Sequence, residues 1–198
     1  MRKFLPWIIA GAVVLFGYFY FKGINNTAVT LDQDVKESWG NVQTSYQRRN
    51  DLIGNLVKTV KGAADFEKST LEAVITARSK ATAVTIDPTN ITPEQLAQFN
   101  QAQSGVSSAL SRLLVTVEQY PDLKANQNFL KLQDELASTE NQILTARTRF
   151  NEAVKLYNRH VTIFPNNIFA NFFGDFKDKP YFKAEAGAQK APEVFKEE

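Results

Sequence analysis

Side chains that can carry out chemistry are scarce in this sequence. The 198 residues include one histidine, His160, and no cysteine. A Ser-His-Asp site would have to use that histidine, and neither a two-histidine metal site nor a thiolate site can be built within one chain. His160 also lies at a heptad position near the end of a predicted helix, where a positive charge complements the helix dipole. We therefore predict that His160 is structural, that the chain has no catalytic, cofactor-binding or metal-binding residues, and that the protein is not an enzyme.

A second group of polar residues lies within or beside helical apolar stripes. Arg49 interrupts the stripe of the first predicted helix, and Glu140 and Arg147 lie seven residues apart along the third. Carboxylate and guanidinium groups at such positions predict a buried or half-buried network that fixes the register of the helices. One alternative is that these residues form a polar interface for a partner or second subunit. The other is that their carboxylates serve a hydrolase. The other members of this group are Arg48, Asn55, Asn141, Asn151 and Asn158.

The basic character of the chain is confined to its N-terminus. The chain has 23 Lys and Arg residues against 21 Asp and Glu residues. Residues 1–22 contain Arg2, Lys3 and Lys22 and no acid, so setting those three aside leaves 20 basic against 21 acidic residues. A near-neutral surface with interspersed charges lacks the basic face that neutralises phosphates. We expect neither nucleic acid nor a small-molecule substrate as a partner.

The same N-terminal region contains a predicted membrane span. Residues 4–21 form an uncharged run of 18 residues between Lys3 and Lys22. As a helix this run is about 27 Å long, close to the thickness of the hydrocarbon core of a bilayer. It ends in the aromatic residues 18–21, which suit a membrane interface. A cleaved signal peptide is the alternative, but no convincing small-x-small cleavage site follows.

We interpret the run as an uncleaved anchor that contacts lipid through residues 4–21. Arg2 and Lys3 precede it and Lys22 alone follows closely. The positive-inside rule then predicts a single-pass protein with a cytoplasmic N-terminus and residues 23–198 on the other side of the membrane.

The chain after the anchor is predicted to form long helices. No proline occurs from residue 31 to residue 80, and apolar residues recur there at steps of three and four. This spacing predicts an amphipathic helix. Gly54 and Gly62 weaken it, and either glycine can mark a bend.

Two further helices have clear boundaries. Thr92 and Gln95 form a predicted capping box around Pro93, and that helix runs to about Gln119. The third runs from about Pro121 to His160 and has an apolar residue at every seventh position, which predicts lateral packing between helices. These residues are Phe129, Leu136, Ile143, Phe150, Tyr157 and Phe164.

The predicted fold is all-α, with one N-terminal transmembrane helix followed by an antiparallel bundle. The bundle has three long helices plus a short C-terminal helix, or four if the first breaks near Gly62; we favour a continuous first helix. The predicted domains are an anchor (1–26), the bundle (27–182) and a polar flexible tail (183–198). A continuous first helix places the aromatic stretch 168–176 far from the membrane, whereas a break near Gly62 brings it close. The stretch either caps the core or binds a partner or a membrane interface.

Four runs of residues, in order along the chain, carry a family resemblance. They are Trp39-x-x-Val42-x-x-x-Tyr46-x-Arg48-Arg49-x-Asp51-Leu52-Ile53, Tyr120-Pro121-Asp122-Leu123-Lys124-Ala125-Asn126, Thr139-Glu140-Asn141 with Arg147 and Phe150-Asn151, and Pro180-Tyr181-Phe182. With these runs and the N-terminal span, nearly the whole chain resembles the LemA family of membrane-anchored bacterial proteins. It departs from the family at Gly54, where proline is usual, and at Phe150, where tyrosine is common.

The resemblance implies a single N-terminal span and an antiparallel helical bundle, but no reaction, because the family has no settled activity. Some relatives are linked with magnetosome membrane formation, and others occur beside membrane metalloproteases. We therefore expect a non-enzymatic scaffold or adaptor on the outer face of a bacterial inner membrane. Its expected partners are further copies of itself and a membrane protease or other membrane protein. The alternative is a membrane-remodelling or membrane-organising protein that assembles on bilayers.

Overall fold

The computed structural model describes residues 4–62, 66–172 and 176–183, and every regular element in these ranges is helical. The predicted polar tail lies outside them except for Lys183. The helices are α1 (Leu5–Lys61), α2 (Lys68–Ala83), α3 (Pro93–Val117), α4 (Pro121–Lys124), α5 (Gln127–Thr162) and α6 (Asn166–Phe172).

The first helix joins the predicted anchor to the bundle without interruption. α1 has 57 residues, which corresponds to a length of about 85 Å. Its N-terminal part is the one segment among the described residues that is long and apolar enough to cross a membrane. Large apolar side chains there are exposed, Trp7 at 77% and Phe16 at 73%. The remainder of α1 buries one stripe, which includes Val35, Trp39 and Val42.

The first helix does not continue past Gly62, so the favoured prediction of an unbroken first helix is wrong and the four-helix alternative is confirmed. α1 ends at Lys61, and the Gly62 N–H donates to the Thr59 carbonyl at 3.2 Å, which tightens the last turn. Glycine has a low helix propensity, and the chain can fold back here. α2 then buries Leu71 and Val74 in the same apolar cluster as Leu56.

The helices pack in two antiparallel pairs, α1 with α5 and α2 with α3. Since α5 runs antiparallel to α1, its C-terminal end lies beside the N-terminal, membrane-side part of α1. The Phe169 ring stacks on the Phe21 ring with centroids 5.7 Å apart. The described part of the terminal aromatic stretch therefore lies close to the span, which overturns the expectation that it lies far from the membrane.

Local capping explains where two helices begin. The predicted capping box is confirmed: Gln95 N donates to Thr92 Oγ1 at 3.2 Å, and Thr92 N donates to Gln95 Oε1 at 3.0 Å. The predicted third helix is instead split, because Asn126 Oδ1 accepts hydrogen bonds from the Asn128 and Phe129 N–H groups and starts a new helix, α5.

Apolar residues form two buried clusters along the bundle. The membrane-proximal cluster surrounds Trp39, and the distal cluster surrounds Leu56. The heptad residues predicted on the third helix are buried, with one exception. Phe164 lies two residues beyond the end of α5 and is 75% exposed. The buried heptad residues are Phe129, Leu136, Ile143, Phe150 and Tyr157.

Gly40 provides a test of the uninterrupted α1 helix. A Cβ added at Gly40 would meet no heavy atom within 4 Å. We expect Gly40→Ala to stabilise the protein by about 0.5–1 kcal/mol, because alanine loses less backbone entropy in a helix. The measurement is denaturant unfolding of the detergent-solubilised protein followed by circular dichroism.

The matched control is Gly54→Ala, also within α1. Its Cβ would lie 3.4 Å from Arg78 Nη2, so we expect a smaller gain. Destabilisation by Gly40→Ala would contradict the regular helix at this position.

Candidate functional site

A buried arginine links three helices. Arg49 on α1 is 2% exposed. Its Nη1 donates to Glu140 Oε1 of α5 at 3.1 Å and to Ser107 Oγ of α3 at 3.4 Å. Its Nη2 donates to Gln103 Oε1, also of α3. This polar layer, defined by Arg49, Gln103, Ser107 and Glu140, joins α1 to both α3 and α5.

The polar layer lies between the two apolar clusters. On α1, Arg49 follows Tyr46 of the proximal cluster and precedes Leu52 of the distal cluster. The Arg49 Cζ atom lies 4.9 Å from the centroid of the Tyr46 ring, a cation–π distance. Burial raises the pKa of the Tyr46 hydroxyl, although the charges of Arg147 and Arg49 act in the opposite direction. The prediction that a carboxylate–guanidinium network fixes the helix register is supported by these contacts.

A second polar arrangement holds the C-terminal strap, which we define as residues 176–183. Asn158 Nδ2 donates to the Lys179 carbonyl at 2.9 Å, and the Lys179 N–H donates to Asn158 Oδ1 at 2.9 Å. Asn151 pairs in the same way with Phe182, at 3.0 and 2.8 Å. Arg147 Nη2 adds a hydrogen bond to the Lys183 carbonyl at 3.2 Å.

The spacing of the two asparagines matches an extended chain. Seven residues of helix rise about 10.5 Å, and three residues of extended chain span about 10 Å. Asn158 and Asn151 are seven apart on α5, and their partners Lys179 and Phe182 are three apart on the strap. The strap therefore runs antiparallel to α5, and each asparagine supplies the donor and the acceptor that a neighbouring strand would otherwise supply.

Two side chains of the strap are anchored in the bundle. Phe182 is 6% exposed, and its ring lies 5.9 Å from the Trp39 ring and 5.3 Å from the Phe150 ring. Lys179 Nζ lies 2.8 Å from Asp32 Oδ1 and 5.1 Å from the centroid of the Tyr157 ring.

Asp32 carries the charge that meets Lys179. Partial burial alone would raise the pKa of the Asp32 carboxyl, but the hydrogen bonds and charges of Lys179 and Lys36 together outweigh burial and hold the pKa below its ordinary value. The carboxylate therefore remains ionised throughout the neutral range and keeps the strap attached to α1.

His160 makes contacts of a structural kind. Its Nε2 lies 3.0 Å from the Ile24 carbonyl, and the Asn166 side-chain amide lies 3.3 Å from Nδ1 and 3.0 Å from the His160 carbonyl. Since a carbonyl only accepts, Nε2 carries the proton in the neutral ring and Nδ1 accepts from Asn166. His160 thus links α5 and the start of α6 to α1 at Ile24.

The polar residues singled out from the sequence divide into three groups. Arg49 and Glu140 join the polar layer, whereas Arg147, Asn151 and Asn158 hold the strap instead. Arg48, Asn55 and Asn141 are exposed. Sequence reasoning missed Gln103, although it lies seven residues after Leu96 and seven before Leu110 in an apolar stripe. It also missed Asp32 and Lys179, for which the sequence pattern contains no corresponding indication.

Two grooves open on the surface of the described residues. A groove of about 1050 Å³ lies between α2 and α3 and is lined largely by small side chains such as Ala73, Ala77 and Gly105. A groove of about 540 Å³ between α1 and α5 is lined mainly by neutral polar residues. Within the ranges that the structure describes, no three His, Cys, Asp or Glu side chains are close enough to hold a metal ion.

The polar layer predicts different effects for two substitutions of Glu140. Glu140→Gln keeps an acceptor for Arg49, so we expect a loss of about 1 kcal/mol in the free energy of unfolding. Glu140→Lys replaces the carboxylate with a cation beside the buried guanidinium, but this side chain is 47% exposed, so we expect a loss of about 1–3 kcal/mol. Thermal and denaturant unfolding measure both.

Asn141→Lys is the control. Asn141 is the exposed neighbour of Glu140, so this substitution introduces a lysine outside the polar layer. Its effect should stay within about 0.5 kcal/mol. A Glu140→Lys protein with the melting temperature and particle size of the unsubstituted chain would contradict the role of the layer.

The ion pair between Asp32 and Lys179 predicts that the attachment of the strap weakens at acid pH. Because its pKa is lower in the folded state, the carboxylate stabilises the fold fully above the ordinary value near pH 4, and that stabilisation is lost as the pH falls through the lowered pKa. We expect the difference in melting temperature between the unsubstituted chain and Asp32→Asn to be constant from pH 7 to 5 and to shrink below pH 4. A difference that does not change with pH would refute the ionic contribution of Asp32.

The family profile and the similar proteins point to the same family. The sequence profile of the LemA family matches residues 38–195. The chain is 29% identical over 192 residues to "Magnetosome protein MamQ 2" of Paramagnetospirillum magneticum, covering 87% of this chain and 70% of that protein. It is 28% identical over 192 residues to "Magnetosome protein MamQ" of Magnetospirillum gryphiswaldense, with the same coverage. It is 26% identical over 153 residues to "Protein LemA" of Metamycoplasma hominis, covering 77% of this chain and 66% of that protein.

The profile match spans most of the chain, including the polar layer, and the relatives extend the similarity over the same bundle. The chain therefore belongs to the LemA family.

Proposed function

We propose that the protein is a non-enzymatic, membrane-anchored helical scaffold or adaptor that binds other proteins, its own copies included, at the outer face of a bacterial inner membrane. The observation that carries this proposal is the continuity of α1. One helix of 57 residues contains both the apolar segment and the stripe that packs the bundle. A rigid rod of this kind holds a binding surface at a fixed distance from the membrane.

The groove between α2 and α3 is the surface best suited to a protein partner. Most of its lining residues are small, so a helix or an extended segment can approach the backbone closely. Glu72, Lys80 and Arg112 also line it and carry charges of both signs, which favours charged contacts beside an apolar one.

The ion pairs between the helices and the strap support a structural role over a catalytic one. Arg49 is bonded to Glu140, and Asp32 is bonded to Lys179 and Lys36. Each of these charged groups is oriented by its partners and holds one element against another. None of them lines the groove between α2 and α3.

The predicted orientation supports the outer face of the membrane. Arg2 and Lys3 precede the apolar segment, and the positive-inside rule assigns that end to the cytoplasm. The bundle then lies on the periplasmic or extracytoplasmic side, within reach of membrane proteins such as a membrane protease.

A membrane-organising protein that assembles on bilayers is the second candidate. It is favoured by the exposed apolar residues beside the span and by the relatives that are named magnetosome proteins. It differs from the first candidate in its partner, since the assembly would contain this chain and lipid alone.

The test is to extract the full-length tagged protein from its own membranes in mild detergent and to measure the particle mass and the co-purifying proteins. We expect Gly105→Leu to weaken partner binding or self-association at least tenfold while the fold stays stable. A Cβ at Gly105 meets no heavy atom within 4 Å, and the residue is exposed in the groove, so we expect the leucine side chain to extend into the groove and leave the helix packing in place.

Gly40→Leu is the matched control, because its Cβ also has open space but lies on α1, outside that groove. A stoichiometric second protein in the particle supports the adaptor. A large particle of this chain alone that deforms vesicles supports the membrane-organising candidate. A monomer without any co-purifying protein, unchanged by Gly105→Leu, would contradict both.

A further inference from the structure

The bundle begins directly at the end of the apolar segment. Ile24 and Ala28 are already buried, at 8% and 1% exposure, only a few residues after Lys22. α5 and α6 supply the cover, through the contact of His160 with the Ile24 carbonyl and the stacking of Phe169 on Phe21. No spacer therefore separates the packed bundle from the predicted membrane surface.

The antiparallel packing sets the level of the turn that follows α5. His160 lies level with Ile24, and each further residue of α5 rises about 1.5 Å toward the membrane. The last helical residue, Thr162, is about 3 Å further along, level with Lys22. The chain then passes through residues 163–165 into α6, where Phe169 meets Phe21. The turn thus lies at the level of the aromatic residues that end the apolar segment.

The chemistry of this turn suits a lipid interface. Residues 161–172 contain no Asp, Glu, Lys or Arg. Three of their apolar side chains face outward: Ile163 at 54%, Phe164 at 75% and Ile168 at 45% exposure. Between Phe21 and Phe169 lies a groove of about 410 Å³. Its surface is mainly apolar, and Tyr18, Lys22 and Asn25 complete its lining. Aromatic and apolar side chains at this level are favoured between headgroups and acyl chains.

We propose that the turn formed by residues 163–169, which we call the juxtamembrane turn, inserts into the outer interfacial layer of the bilayer that α1 spans. The ligand is the phospholipid boundary between headgroup and acyl chain. The chain is then attached at two points, by the span and by the juxtamembrane turn. Two points fix the tilt and the rotation of the bundle about α1, which a single helix leaves free. The inference rests on the proposed anchorage of α1 in a membrane.

The absence of native cysteine permits a direct test. The single cysteine of the full-length Phe164→Cys protein is labelled with a polarity-sensitive fluorophore. The labelled protein is reconstituted in vesicles of phosphatidylcholine and phosphatidylglycerol. We expect blue-shifted emission and quenching by lipids brominated near the headgroup end of the acyl chains. Because Phe164 is 75% exposed, the substitution does not disturb the core. Ile163→Cys is a second label at the same level and should behave in the same way.

Two control labels make the outcomes distinguishable. Leu144→Cys lies midway along α5 at 65% exposure and should report water, whereas Leu15→Cys lies in the apolar segment at 59% exposure and should report lipid. We expect quenching at Phe164 to be several-fold greater than at Leu144. If the labels at Phe164 and Ile163 resemble Leu144 while Leu15 reports lipid, the inference is overturned and the anchor stands. If Leu15 also reports water, the anchor and the inference both fail. A blue shift at Phe164 without quenching by brominated lipid would mean cover by a second copy, and would also overturn the inference.

Discussion

The rest of the bundle depends on the burial of one guanidinium group. Arg49 is almost wholly removed from solvent, and a buried charge is costly unless its donors are satisfied. Gln103 and Ser107 from α3 and Glu140 from α5 supply acceptors for the two Nη groups, whereas Nε has no hydrogen-bond partner among the described residues. If α3 or α5 slid by one turn, about 5.4 Å, these acceptors would be lost. Apolar stripes alone tolerate such a shift, because one layer of leucine resembles the next. The polar layer therefore selects one register and separates the core into a proximal and a distal cluster.

The strap shows how a helix can bind the main chain of another segment. A helix uses its own backbone groups internally and presents only side chains. Asn151 and Asn158 overcome this limit, because a primary amide has a donor and an acceptor that match those of one peptide unit. Their spacing along α5 matches the rise of three extended residues, so the recognition is independent of the side chains at those positions. Phe182 and Lys179 then add an apolar anchor and an ionic one.

Features set by local chemistry could be predicted from the sequence. The apolar stripes of α3 and α5 and the capping box at Thr92 depend on residues within a few turns of one another. The reversal after α1 was predicted only as the less favoured alternative, since Gly54 and Gly62 have the same intrinsic propensity and only the first lies inside a helix. Gly54 lies against the Arg78 guanidinium of α2, a tertiary contact that a local pattern does not contain. This one error reversed the expected direction of α5. The strap contacts were missed for a related reason, because Asn158 and Lys179 belong to separate segments.

The reversal at Gly62 matters most for how the bundle relates to the membrane. Because the chain folds back at Gly62, and because α3 packs antiparallel to α2 and α5 packs antiparallel to α1, the C-terminal end of α5 returns to the level of Phe21. His160 and Asn166 then tie the start of α6 to the backbone of α1 at Ile24. A hinge between anchor and bundle would require exposed, unpacked backbone, whereas here Ile24 and Ala28 are buried. A force or tilt applied to the span is therefore transmitted through α1 to the polar layer at Arg49 without an intervening flexible joint. If α1 spans a bilayer as proposed, the groove between α2 and α3 is consequently held at a defined height above it.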